Sequence, residues 1–315
     1  MIIPDFLEFN EYGLYCKTGD FYLDPQQPVH RAVISHAHGD HAVPGHTQIY
    51  CTDATEKFMQ LRFKKQAGKE FYIVPYGHAF VINGVTIKFI PAGHILGSAQ
   101  ILMEYNNIRY LYTGDYKLQQ DATCEPFEYV KADVLITETT FANPDVKHPD
   151  PSEEIQKLNQ NVHNILLGTY SLGKSQRLIN LINQHCPQRT ILVHHSILPL
   201  NKVYELLLFP PGKYEAYNRK LMKEPDRGYV YLVPPFTFNS YFKAKNVLRV
   251  FASGWENLQV QNDMKLFISD HADWEDTLEL ITHVSPSEIW TLHGDGRHLQ
   301  SFFNGRIPVK ILQKC

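Results

Sequence analysis

Apolar and polar residues alternate with a period of two along much of the first third of the chain. "HAFVINGVTIKFI" reads as two β runs joined by Asn83-Gly84, a strong hairpin turn signal. "AQILMEYNNIRYLYTGD" repeats the theme with a turn at Asn106-Asn107. "RAVISHAH" and "ADVLITETTF" are short, nearly continuous apolar runs, as expected of buried strands. Helical patterns fall between them: "DATEKFMQLRFKKQ" early, then "SEEIQKLNQNVHNIL". From about residue 160 to 265, strand and helix alternate in "NILLGTYSLGKSQRLINLINQ", "TILVHHSI", "YVYLVPPF" and "NVLRVFASG". "KLFISDHADWEDTLELITHV" and "EIWTLHGD" then return to short strands that end in His or Asp. "FANPDVKHPDPSEE", with three prolines, reads as a loop and a border. The pattern predicts an α/β domain interrupted by a smaller α/β insertion.

Composition narrows the field. With 315 residues, 43% of them hydrophobic, the chain can build one large domain or two moderate ones. Its net charge of −3 means that a nucleic-acid partner must meet a local basic patch or bound cations. The five cysteines (Cys16, Cys51, Cys124, Cys186 and Cys315) lie far apart and form no C-x-x-C pair, so reduced thiols in an intracellular, cytoplasmic protein are expected. The N-terminus mixes acids into its apolar residues and does not read as a signal peptide. No apolar stretch reaches the ~18 residues that span a bilayer, so no membrane partner is expected.

The 16 histidines change the picture, because of where they fall. "SHAHGDH" places His36, His38, Asp40 and His41 directly after the buried run "RAVIS". His36 and His38 are two apart, so an extended backbone turns both rings to one side. Imidazole and carboxylate are ligands that Zn²⁺ prefers. Four such groups within six residues suggest one metal and the start of a second. The pattern recurs downstream: His94 follows "VTIKFI", Asp115 follows "NIRYLY" and His293 follows "EIWTL". Each stands just past the carboxyl end of a strand, where α/β sheets build their sites. Together they complete two coordination shells.

The set "SHAHGDH", "PAGHILGSAQ", "YTGDY", "TETTF" and "SDHADW…TLHG" resembles the metallo-β-lactamase superfamily and, more narrowly, its β-CASP nuclease branch. It is most similar to DNA crosslink-repair and Artemis-like nucleases and to bacterial DNA-ligase-associated exonucleases. The resemblance implies an αββα sandwich over about residues 1–155 and 266–315, with a β-CASP-type domain inserted at 156–265 to roof the site. It also implies two zinc ions, with manganese as the alternative. His36, His38 and His94 would hold one ion and Asp40, His41 and His293 the other, with Asp115 as the bridge. Asp24, in "FYLDP", would support the metal loop from behind. Catalysis would fall to Asp40, Glu138 and His271, the last as the acid that protonates the leaving oxygen. The implied activity is phosphodiester hydrolysis, as a DNA exonuclease in repair, with a DNA ligase or helicase as partner. An RNA-processing nuclease of the same branch is the first alternative. A hydrolase of small thioesters or lactams is the second, and a non-catalytic scaffold the third.

One stretch points elsewhere. "GTYSLGKS", Gly168 to Ser175, fits the phosphate-cradling pattern G-x-x-x-x-G-K-[ST], between a strand-like and a helix-like run. An NTPase would leave the His and Asp cluster unexplained. The expectation is therefore that Ser171, Gly173 and Lys174 bind a phosphate of the nucleic acid at a helix N-terminus.

Overall fold

The structure, a computed structural model, describes residues 2–3, 5–243, 245–260 and 262–312. It separates into two compact units, Met1–Lys147 with His271–Cys315, and His148–Asp270.

The first unit holds two sheets. One has six strands in chain order: Leu7–Asn10, Gly13–Cys16, Phe21–Leu23, Arg31–Val33, His46–Cys51 and Gly68–Ile73. The other runs, edge to edge, Val309–Ile311, Glu288–Gly294, Val134–Thr139, Ile108–Tyr112, Ala99–Tyr105, Val85–Pro91 and Ala79–Ile82. Period-two patterning builds their shared core. Val85, Ile87 and Phe89 are buried while Thr86 and Lys88 between them are half-buried. They join Leu14, Leu23 and Val33 of the first sheet in one cluster with Tyr110, Ile136 and Trp290. Both predicted hairpin turns form, with Asn83 and Gly84 at φ 46° and 84°, and Asn106 and Asn107 at 50° and 60°.

Helices cover the outer faces. Helix Asp53–Phe63 sets Met59 against Ile34 and Ile49. Helix Trp274–Val284 sets Leu280 and Ile281 against Leu102, Leu111 and Leu135, and Leu299 of helix Arg297–Phe302 joins them. The layers are helix, sheet, sheet, helix, the αββα sandwich that the resemblance implies.

The second unit is built on five parallel strands in the order Glu215–Ala216, Thr190–Val193, Tyr229–Val233, Asn164–Gly168 and Val247–Phe251. Its limits differ from the expected 156–265. Ile155 on one side and Leu266 and Ile268 on the other pack into its main core with Leu158, Leu178, Ile179 and Val230. Burial carries these flanking residues into the second unit.

The helix read from "SEEIQKLNQNVHNIL" is also shorter than its pattern. Helix Pro151–Gln156 and a 3₁₀ turn, Lys157–Gln160, end before the strand begins at Asn164. The Arg189 guanidinium donates to the carbonyls of Leu158, Asn161 and His163, and so takes acceptors that a continuing helix would need.

Among the described residues, Cys16, Cys51, Cys124 and Cys186 are buried, whereas Cys315 lies outside the described residues. No described helix is long and apolar enough to cross a membrane.

Candidate metal centre

The metal-ligating candidates of the first unit meet in one place. The strand Arg31–Val33 delivers the loop of His36, His38, Asp40 and His41. The strand Val85–Pro91 delivers His94, Ile108–Tyr112 delivers Asp115, Val134–Thr139 carries Glu138 and Glu288–Gly294 carries His293. His271 precedes the helix Trp274–Val284, which Asp273 caps by accepting from the Asp276 amide.

One donor set closes, and the members of a second lie near it. In the first, His38 Nδ1 lies 3.1 Å from His36 Nε2 and 3.0 Å from His94 Nε2. Asp115 Oδ2 lies 3.6 Å from His36 Nε2 and 3.7 Å from His94 Nε2. A tetrahedral zinc with bonds near 2.05 Å spaces its ligands ~3.3 Å apart, so this set fits the ion. In the second, His41 Nε2 lies 3.3 Å from Asp115 Oδ1 and 3.9 Å from Asp40 Oδ2, and the His41 and His293 ring centroids are 5.3 Å apart. The two oxygens of Asp115 thus face different sets.

The electrostatics follow. Burial drives His36 well below the usual imidazole range, which favours the neutral, ligating form. Burial also disfavours charge on Asp115, but the imidazoles of His41, His271 and His36 overcome it and hold the carboxyl well below its ordinary value. Burial likewise works against a charged His41, and Asp115 and Asp24 more than offset it, raising its pKa well above 6.5.

Asp24 lies behind the loop. Its carboxylate accepts from the Ser35 amide (2.7 Å), the Ser35 hydroxyl (2.5 Å) and the Tyr112 hydroxyl (2.9 Å), and it pairs with His41 Nδ1 at 2.8 Å. That pairing turns His41 Nε2 toward Asp115. Ser35 and Tyr112 were not singled out from sequence. Nor were Gln26, which donates to the Asp40 carbonyl at 2.5 Å, and Arg62, which donates to the Ala37 carbonyl at 2.7 Å. Nothing marks them in sequence except that Ser35 and Tyr112 open two of the motifs.

His293 reaches its place through a bulge. Glu138 pairs with Leu292 and Thr139 with Gly294, so His293 is skipped by the ladder. Its φ is 51°, a left-handed conformation, and bulges of this kind re-aim side chains beside sites. Glu138 and His271 meet as expected: His271 Nδ1 lies 3.0 and 2.9 Å from the two carboxylate oxygens. The Thr140 hydroxyl also donates to Glu138, at 2.5 Å.

The loop of Ser171, Gly173 and Lys174, expected to bind phosphate, bonds inward at several of its polar groups. Strand Asn164–Gly168 and helix Lys174–His185 flank the loop as predicted, but its polar groups are committed within the second unit. The Gly173 amide donates to Gln176 Oε1 (2.7 Å), the Lys174 amide to the Leu172 carbonyl (3.2 Å) and the Ser175 amide to the Tyr170 carbonyl (3.1 Å). Ser171 offers its carbonyl to Gln176 Nε2. The Lys174 ammonium is buried and donates to the Ile268 carbonyl at 2.9 Å.

Comparison with known proteins names the same metal. Residues 259–304 match the family described as a Zn-dependent metallo-hydrolase RNA specificity domain. The chain is 32% identical over 304 residues to a "Probable DNA ligase" of Opitutus terrae, covering 90% of this chain and 28% of that protein. It is 29% identical over 201 residues to an "RNase J-like protein" of Methanocaldococcus jannaschii, covering 55% of this chain and 48% of that one. It is 27% identical over 136 residues to "Endoribonuclease YSH1" of Eremothecium gossypii, covering 40% of this chain and 17% of that one. This chain therefore spans less than half of each of these relatives. A crystal structure of a protein of unknown function from Enterococcus faecalis V583 shares the fold, with TM-score 0.60 at 14% identity, over 90% of this chain and 79% of that one.

Proposed function

From the premise that this chain belongs to the metallo-β-lactamase-fold nucleases of the β-CASP branch, we propose that it is a di-zinc phosphodiesterase that trims DNA ends as an exonuclease in repair. The observation that carries this reading is Asp115, whose two oxygens face two separate donor sets. His36, His38 and His94 with Asp115 Oδ2 would hold one ion, and Asp40, His41 and His293 with Asp115 Oδ1 the other. Zinc in such a pair brings the pKa of bound water near 7 and offsets charge on the phosphate, and manganese is the alternative ion.

The chain's own chemistry lies in the proton. As the phosphorus–oxygen bond breaks, the leaving oxygen needs one. Glu138 holds His271 through Nδ1, which turns Nε2 to the other side of the ring to donate it. His271→Ala is expected to keep both metals yet lose roughly 10²–10⁴-fold in turnover on nucleic acid, the usual worth of a general acid. A nitrophenyl phosphodiester, whose leaving group needs no proton, is expected to suffer far less.

DNA is favoured by the likeness, over 90% of this chain, to a protein named as a probable DNA ligase. A ligase joining the trimmed ends is the natural partner on the same ground. The second reading, RNA processing, draws on the match at 259–304 and on the relatives named as ribonucleases. End-labelled single- and double-stranded DNA and RNA, with and without 5′-phosphate, separate the two. Stepwise shortening of DNA in preference to RNA is expected. Internal RNA cleavage would transfer the assignment to the second reading, and turnover of thioesters or lactams alone would end both.

A further inference from the structure

The segment that carries His94 is held by side chains from outside the motifs. It spans residues 92–98 and joins strand Val85–Pro91 to strand Ala99–Tyr105. Two glycines let it pass close to its neighbours. A Cβ on Gly93 would come within 2.3 Å of the Lys117 carbonyl oxygen, and one on Gly97 within 2.5 Å of Ala54 Cβ. Gly97 is gripped on both sides. Its amide donates to Glu125 Oε2 at 3.0 Å, and its carbonyl accepts from the Thr52 hydroxyl at 2.7 Å. At the next residue, the Ser98 carbonyl accepts from the Tyr76 hydroxyl at 2.9 Å. The Ser98 hydroxyl in turn accepts from the amide of Ile95 at 3.2 Å and from that of His94 itself at 3.1 Å. A hydrogen-bonded path therefore runs from Glu125 and Tyr76 through Gly97 and Ser98 to the backbone of His94. All of these residues lie in the first unit.

We propose that Glu125 and Tyr76 are positioning residues that preset the backbone of His94 for metal binding. The proposal rests on the reading of His94 as a ligand. In the first donor set His94 comes from this segment, and its Nε2 lies 3.0 Å from His38 Nδ1 and 3.7 Å from Asp115 Oδ2. Zinc–nitrogen bonds hold near 2.05 Å to within about 0.2 Å, so a backbone that shifts by more than that takes the imidazole out of reach. Any acceptor would satisfy the buried amide of Gly97. Two long side chains from separate segments, converging on consecutive residues, also fix where the segment lies.

The test is competition between a chelator and the zinc-loaded protein. It uses Glu125→Ala, Glu125→Gln, Tyr76→Phe, His94→Ala and the double variant that combines Glu125→Ala with His94→Ala. Glu125→Ala is expected to lower zinc affinity by ~10–100-fold, the usual cost of losing a residue that orients a ligand. Glu125→Gln, which keeps an acceptor for Gly97, restores most of that loss. Tyr76→Phe shows a smaller loss and decides the matter if Glu125→Ala does not fold. In the His94→Ala background, Glu125→Ala adds little, because two changes that act through one ligand are not additive. Unchanged affinity in the deciding variant overturns the proposal. A Glu125→Ala loss of the same size with and without His94 also overturns it, since Glu125 would then act on the protein at large. If His94→Ala itself binds zinc as tightly as the unaltered protein, the ligand reading falls and this inference falls with it.

Discussion

Both units gather polar side chains where parallel strands end, and they do so with opposite chemistry. In the first, the atoms brought together are nearly all lone-pair donors: His36 Nε2, His38 Nδ1, His94 Nε2 and both oxygens of Asp115. Such a cluster offers donor atoms that a cation from outside would complete. In the second, a lysine and an arginine already meet Asp270 and two carbonyls. That cluster is complete in itself. A motif becomes a binding site when the fold leaves its chemistry unanswered.

The sharpest way to break this contrast is Asp115→Ala, which removes the one group shared by both donor sets. Metal analysis is expected to show loss of both ions, and phosphodiesterase activity is expected to fall to background. Full metal content in that variant would end the bridging assignment. A smaller effect is expected behind the ligands. Asp24→Asn weakens the hold on His41 and should lower metal affinity by about 10–100-fold, measured by competition with a chelator. Unchanged affinity would mean that Asp24 only packs.

The smallest effect concerns a histidine outside both sets. His46 is buried, its Nδ1 accepts from the Val29 amide at 3.1 Å, and burial pushes its pKa down to about 4. The unfolded chain, with a pKa near 6.5, binds the proton more readily. Stability is therefore lost as pH falls from about 6.5 to about 4, by up to roughly 3 kcal/mol. His46→Asn, which keeps an acceptor for Val29, should flatten that part of the acid-unfolding curve. A curve unchanged in slope would remove His46 as a source of acid sensitivity.

The ligand set was legible because each member follows a buried apolar run, and strand ends in one sheet lie side by side. The hairpins were legible because Asn83-Gly84 and Asn106-Asn107 demand left-handed backbone locally. The loop at Lys174 was legible only in part, for a related reason. Its local geometry was read correctly, but its partners are 94 and 96 residues away in sequence, at Ile268 and Asp270, and nothing local announces them. The same holds for the short helix ended by Arg189, whose guanidinium arrives from 26 to 31 residues downstream. The limits of the second unit shifted because a core, unlike a linker, leaves no compositional mark at its edge.

The bulge at His293 has a consequence for how this centre could be re-engineered. Gly294 sits at φ 135°, and a Cβ there would come within 2.2 Å of the Thr139 carbonyl, so the dipeptide can only be altered at its first residue. That residue is itself left-handed, a conformation in which Asn, Asp and His are the enriched side chains after glycine. Of those, only His and Asp are strong metal ligands. The backbone therefore filters the side chains allowed at this position down to a short menu in which most choices still carry a donor atom. A swap such as His293→Asp, which hardens the second donor set toward oxygen-preferring ions, is the exchange this framework tolerates best.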